Sequence, residues 1–160
     1  KYYGGVLPAG GAPSEAETAL EQVASRAVAA AEDAIDRLAL HEAVAATWTL
    51  VEATNGYLTE QAPWAVAKTE TVDGTAPGDG RLATILRTSC EALRCLAVLL
   101  NPVMPKASAA LWESLGAEPA LGPLAAQPVT SAASFGALAT GASITKGASL
   151  FPRIEEPAEQ

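Results

Sequence analysis

The sequence predicts an all-α fold: a helical bundle of about four helices with an irregular C-terminal segment packed back on it. Three observations carry this. Apolar residues make up 49% of the 160-residue chain but aromatic residues only 5%. The core must therefore be built from Ala, Leu and Val, which suit packed helices better than a sandwich or barrel. Apolar residues recur at three- and four-residue steps through four runs, and Gly and Pro cluster between the runs. A chain of this length buries roughly two-thirds of its unfolded surface, enough for one domain, expected here over residues 1–155.

Residues 1–13 hold Gly4, Gly5, Pro8, Gly10, Gly11 and Pro13, too many breakers for a helix, and read as a connector. Ser14-x-x-Glu17 is a capping box, and Leu20, Val23, Ala27, Ala31, Ile35 and Leu38 follow at helical steps. A first helix is expected over about 14–38, with Glu21, Arg26, Glu32 and Asp33 outward. A second run places Leu40, Val44, Trp48, Val51, Asn55 and Leu58 on one stripe and ends before Ala62-Pro63, because a residue preceding proline avoids the α region. The short join makes the two helices antiparallel neighbours or a bend.

Residues 70–80 are polar and breaker-rich, a surface loop, with no Gly-Lys-Ser/Thr to make it a phosphate-binding loop. A third helix over about 81–100 carries Leu82, Ile85, Leu86, Leu93, Leu96, Val98, Leu99 and Leu100. It is apolar nearly all round toward its end, which belongs at the bundle centre. Asn101-Pro102 stops it, and Pro105 opens a short fourth helix that ends at Gly116. Residues 117–149 lack sustained periodicity and read as irregular. Leu150 to Glu155 read as an extended strip lying on the bundle, and 156–160 as a frayed tail.

Several chemistries find no home here. The single imidazole, His41, stands at a helix start with no nucleophile to serve, and three Cys and His residues spread over fifty positions do not make a zinc site. Cys90 and Cys95 sit about 140° apart on a helix, so neither a disulfide nor a shared metal follows, and reduced thiols suit the cytoplasm. The acids Glu32, Asp33, Asp36, Glu155 and Glu156 read as solvated charge. A formal charge of −8, from 18 acids against 10 bases, gives no broad field toward phosphates, so any nucleic-acid contact must be local. No run reaches the ~18 apolar residues of a membrane span. The opening Lys1-Tyr2-Tyr3-Gly4-Gly5 has neither Met nor a signal segment and reads as a fragment lacking its natural start. The chain is expected to act by binding.

The informative stretch runs from Asn55 to Lys68. Pro63 fixes the path of the chain, so the indole of Trp64 sits at a rigid corner. There it can stack on an unpaired base, a contact worth roughly 1–3 kcal/mol that needs little positive charge, or it can plug the bundle end. Asn55, on the apolar stripe, needs a partner for its amide from a neighbouring backbone or a ligand.

Asn55-x-Tyr57 leading to Ala62-Pro63-Trp64 and Lys68 resembles the anticodon-domain signature of bacterial methionyl-tRNA synthetases. Four further segments resemble that family in order. Lys1 to Pro8 is similar to the end of the helix that opens the domain. Glu91 to Arg94, Leu100-Asn101-Pro102-Val103-Met104-Pro105 and Leu111-Trp112-x-x-Leu115-Gly116 match its third and fourth helices. Phe135-Gly136-x-Leu138 with Gly141, and Leu150-Phe151-Pro152-Arg153-Ile154-Glu155, match its closing part.

The resemblance implies a module recognising the CAU anticodon of tRNA(Met), in which Trp64 stacks on the first anticodon base, a cytosine, and Arg153 supports tRNA binding nearby. It casts Asn55 and Tyr57 as residues shaping the corner, while Trp48, on the helix stripe, and Trp112, on the short fourth helix, read as core by default. It also implies a cytoplasmic, monomeric ligase of protein biosynthesis whose catalytic domain, with ATP, Mg and a zinc-bearing insertion, is absent from this chain. No catalytic residue or cofactor is expected here. An asparagine and an arginine that share anticodon reading in the family precede the position of Lys1, so the chain alone should bind tRNA weakly. The competing readings are an anticodon domain of the related Leu, Ile or Val synthetases and a non-enzymatic helical interaction module.

Overall fold

A computed structural model describes residues 2–70 and 78–151. Six α-helices follow one another: α1 (Glu15–Asp36), α2 (Leu40–Gln61), α3 (Pro63–Thr69), α4 (Arg81–Leu100), α5 (Pro105–Ser114) and α6 (Glu118–Leu121), with 3-10 turns at Leu124–Ala126 and Val129–Ala132. The four longer helices are the bundle expected from the periodicity. Among the described residues the sole extended pairing is an isolated antiparallel bridge between Val6 and Ser143.

Helix α1 starts where the capping box puts it. Ser14 is the N-cap, its hydroxyl accepts from the Ala16 amide, and the Glu17 carboxylate accepts from the Ser14 amide at 2.7 Å. It packs along α2, and α4 contacts both. The late part of α4, from Cys95 to Leu99, is buried continuously, so the helix end does lie at the bundle centre. Trp112 of α5 is core, and its indole nitrogen donates to the Gly122 carbonyl at 3.1 Å.

The buried face of α2 differs from the expected stripe. Thr47, Leu50, Thr54 and Tyr57 face the core, while Leu40, Val44 and Trp48 are exposed, Trp48 to 52%. Asn55 is at the surface too. The reason lies in the partner helix. Helix α1 offers Ala24, Ala27, Val28 and Ala31, a shallow surface that lets the two backbones approach when α2 also presents small side chains. The threonine hydroxyls enter the core at little desolvation cost because each donates within its own helix, Thr47 to the Ala43 carbonyl at 3.0 Å and Thr54 to that of Leu50 at 2.7 Å. Bulk therefore gave the wrong stripe, and Trp48 is not core. Ile35 and Leu38, expected inside, are exposed where α1 ends, with Leu38 at φ 59°.

The N-terminal residues are more integrated than a connector, and the expected tail, 156–160, lies outside the described residues. Residues 2–5 form a turn, and Tyr3 and Leu7 are buried. The Leu7 amide donates to the Ala142 carbonyl at 2.9 Å and the Ile144 amide to that of Gly5 at 2.7 Å. The irregular segment 117–149 thus runs back beside the N-terminal residues. It comes so close to Gly116 (φ 59°) that a Cβ there would collide with the Ser143 carbonyl oxygen. Leu150 and Phe151, the described start of the expected strip, are exposed; the rest of that strip lies outside the described residues.

Arginines on α4 hold this arrangement. Arg87 donates to the Pro8 carbonyl at 3.1 Å, the Leu138 carbonyl at 2.8 Å and the Thr140 hydroxyl at 3.2 Å. Arg94, with 1% of its surface exposed, donates to the Ser131 and Ser134 carbonyls at 2.8 and 2.6 Å and to the Glu91 carboxylate at 2.8 Å, whose other oxygen accepts from the Leu138 amide. Partly buried carbonyls of the segments before α1 and after α6 find their donors on these side chains.

Candidate nucleic-acid interface

Helix α2 ends at Gln61. Ala62 takes a left-handed conformation (φ 42°, ψ 59°), an uncommon one for a side-chain-bearing residue, and Pro63 then starts α3. Proline has no amide hydrogen to lose at a first helical position, and its fixed φ already matches the helix. The break is thus a corner between two helices with no loop between them. Trp64 is the second residue of α3, in its first turn at that corner, and it is 58% exposed. Lys68, also exposed, stands one turn further along α3.

Both arms of the corner are fixed to the start of α4. On the α3 side, Val66 and Ala67 pack against Leu82, Ala83, Leu86 and Tyr3, and Glu70, just past the end of α3, accepts from the Leu82 amide at 3.1 Å. Glu70 thereby supplies the acceptor that the N-cap residue of α4, Gly80, cannot. On the α2 side, the Gln61 side-chain oxygen accepts from Arg81, and Arg81 grips Glu17 with both terminal nitrogens at 2.9 Å. The Tyr57 hydroxyl donates to Glu17 Oε1, the same oxygen that accepts from one of the two Arg81 nitrogens, at 2.5 Å.

Glu17 is therefore more than a capping residue. It is 3% exposed and accepts from the Ser14 amide and hydroxyl, Tyr57 and Arg81. Burial by itself would raise its carboxyl, but the donors from Arg81, Ser14 and Tyr57 outweigh it and hold the group at about 2. Tyr57 moves the other way. Burial first, then the Glu17 carboxylate that its hydroxyl serves, raise the phenol above its ordinary range.

Of the residues read from the sequence, Trp64 is presented to solvent and Asn55 lies at the surface seven residues before the break. Tyr57 is buried and spends its hydroxyl on Glu17. Arg153, like Glu155 and Glu156, lies outside the described residues. His41 is exposed at the far end of α2 with Glu42 at 3.9 Å. The Cys90 and Cys95 thiols are free, and burial pushes them up to about 11 and about 12. Among the described residues no group of three or more His, Cys, Asp or Glu side chains converges to hold a metal ion, and no helix is long and apolar enough to cross a membrane. The sequence reading missed Gln61, Glu70 and Arg81. A hint existed in α4, whose apolar run is punctuated by Arg81, Arg87 and Arg94 at six- and seven-residue intervals.

Over residues 7–160 the chain matches the family model for the anticodon binding domain of methionyl tRNA ligase. The chain belongs to that family. It is 52% identical over 157 residues to the methionine–tRNA ligase of Streptomyces coelicolor, an alignment covering 98% of this chain and 28% of the relative. With the methionine–tRNA ligase of Caldanaerobacter subterraneus it shares 33% identity over 155 residues, covering 97% of this chain and 22% of that one. Among solved structures it is similar to Mycobacterium tuberculosis methionyl-tRNA synthetase in complex with methionyl-adenylate, with a TM-score of 0.78 and 29% identity over 96% of this chain and 28% of that chain. The chain thus spans under a third of the length of these relatives. The resemblance read from Asn55 to Lys68 and the four other segments is the correct one, and the Leu, Ile and Val alternatives fall away.

Proposed function

We propose that this chain is the part of a methionine–tRNA ligase that receives the CAU anticodon loop of tRNA(Met), with Trp64 as its stacking platform. The observation that carries this reading is the indole itself: a large aromatic side chain, more than half exposed, at a corner whose two arms are both anchored on α4. An unanchored exposed indole would lose side-chain freedom on binding, whereas an anchored corner has already spent most of that entropy in folding. Stacking needs no broad positive field, which fits a chain of net charge −8, and Lys68 supplies a local charge on the same short helix. Arg153 supports the loop nearby and Asn55 borders the corner at the surface. Tyr57 acts by shaping it from below. The domain works as a monomer beside the catalytic domain of the same enzyme, in the cytoplasm, where ATP-dependent attachment of methionine takes place.

A titration of CAU-loop hairpin RNA against scrambled-loop hairpins, followed by quenching of Trp fluorescence at low salt, tests the reading. Preference for CAU is expected, with roughly tenfold weaker binding for Trp64→Ala and a smaller loss for Trp64→Phe, as for one lost stack. Equal binding of wild type and Trp64→Ala at equal folded fraction would overturn it.

A further inference from the structure

The corner that presents Trp64 does not hold its shape from within. Its break residue, Ala62, sits in the left-handed region, which a non-glycine residue occupies only when its surroundings over-determine it. What over-determines it lies one layer below. Tyr57 and Gln61 are four residues apart, hence on one face of the last turn of α2. Tyr57 reaches Glu17 directly and Gln61 reaches it through Arg81. Glu17 is itself locked by the Ser14 amide and hydroxyl at the start of α1. Arg81 is the first residue of α4, and the next residue, Leu82, gives its amide to Glu70 just beyond α3. The segment from Gln61 to Glu70, with Trp64 in it, is thus pinned at both ends to two consecutive residues of one helix.

We infer that Glu17 is a positioning residue for anticodon recognition: by fixing Arg81 and Tyr57 it sets the end of α2 and so the pose of the Trp64 indole. This rests on the proposed stacking role of Trp64. Glu17 touches no RNA in this account. Its carboxylate is an acceptor shared by the start of α1, the last part of α2 and the start of α4, and an amide at that place keeps the size while losing the charge that holds Arg81. Freed from Glu17, the last turn of α2 gains alternative poses, and the indole samples orientations that do not stack.

A double-mutant cycle tests it with the whole chain, using the CAU hairpin as probe and circular dichroism to correct for folded fraction. Glu17→Gln is expected to weaken hairpin binding about tenfold in the wild-type background and less than about twofold in the Trp64→Ala background, because residues acting through one another are non-additive. Gln61→Ala, which leaves the Glu17–Arg81 pair in place, serves as the milder second variant, expected to show the same background dependence with a loss of a few fold. Equal loss in both backgrounds, or no loss from either variant, overturns the positioning role while leaving the stacking platform intact. If Trp64→Ala itself leaves binding unchanged, the platform reading falls and the positioning role falls with it.

Discussion

Two buried carboxylates, Glu17 and Glu91, partner arginines of helix α4, and the contrast between them separates the end of this domain that presents Trp64 from its opposite, structural end. Near its start, Glu17 of α1 takes Arg81, Tyr57 and the Ser14 cap, all of them partners at helix termini. Halfway along, Glu91 takes Arg94 and the Leu138 amide, and Arg94 continues to the Ser131 and Ser134 carbonyls, in the mostly irregular segment after α6. The first site fixes the angles between helices and leaves an indole outside. The second replaces the hydrogen-bond ladder that an irregular segment lacks. Arg81 keeps 34% of its side chain exposed, Arg94 only 1%, so the two should answer differently to the same kind of substitution.

The largest effect belongs to the structural end. Arg94→Met should destabilise the chain by about 3–5 kcal/mol, mainly the cost of leaving the buried Glu91 carboxylate without its charged partner. Urea unfolding monitored by circular dichroism measures it. A loss below about 1 kcal/mol would mean that water reaches the site once the guanidinium is gone, and the contrast with Arg81 would dissolve.

The Glu17 site has a signature in pH. Its folded-state value of about 2 lies below the ordinary carboxylate value of 4.5, so the unfolded chain binds the proton more readily. The stabilisation is then complete above about pH 5 and disappears as pH falls toward 2. From the shift, and discounting for the partial exposure of Arg81, it amounts to about 2–3 kcal/mol. Unfolding curves of wild type and Glu17→Gln collected from pH 7 to pH 3 should converge as the pH drops. Parallel curves would place the charge of Glu17 outside the folding balance. Ser14→Ala, which takes away the cap and one donor to Glu17, should cost about 1 kcal/mol at pH 7, read by the shift in thermal midpoint.

How much of this was legible in the sequence follows the range of the interactions. The start of α1 was written in four adjacent residues, and its capping box forms as read. The extents of α4 and α5 were likewise set by Pro102, Pro105 and Gly116 acting on their own neighbours. The α2 stripe was not legible from bulk, because which face turns inward was decided by the alanines of α1, a partner on another segment. Trp48 outside and Thr54 inside are the result. Trp64 could be found because proline is local punctuation, but the Glu17–Arg81 pair that frames it spans 64 positions. Nothing in either residue's neighbourhood announces the other. The same holds for the latch of Arg94 on Ser131 and Ser134, which reads in sequence as an arginine in a helix followed much later by small residues.

The smallest effect on stability falls on the residue with the largest expected effect on binding. Trp64 is more than half exposed, and Val66 and Ala67, not Trp64, carry the packing of α3 on the cluster around Leu82. Trp64→Ala should therefore change stability by no more than about 0.5 kcal/mol, as ordinary surface substitutions do. Trp112→Ala, which empties a buried site and orphans the Gly122 carbonyl, should cost about 3–5 kcal/mol. Parallel thermal melts of the two variants compare a buried indole with the exposed one proposed as a stacking platform. A Trp64→Ala variant that melts like Trp112→Ala would identify the exposed indole as a plug of the bundle end, and the free energy assigned here to an RNA base would belong to the protein's own core.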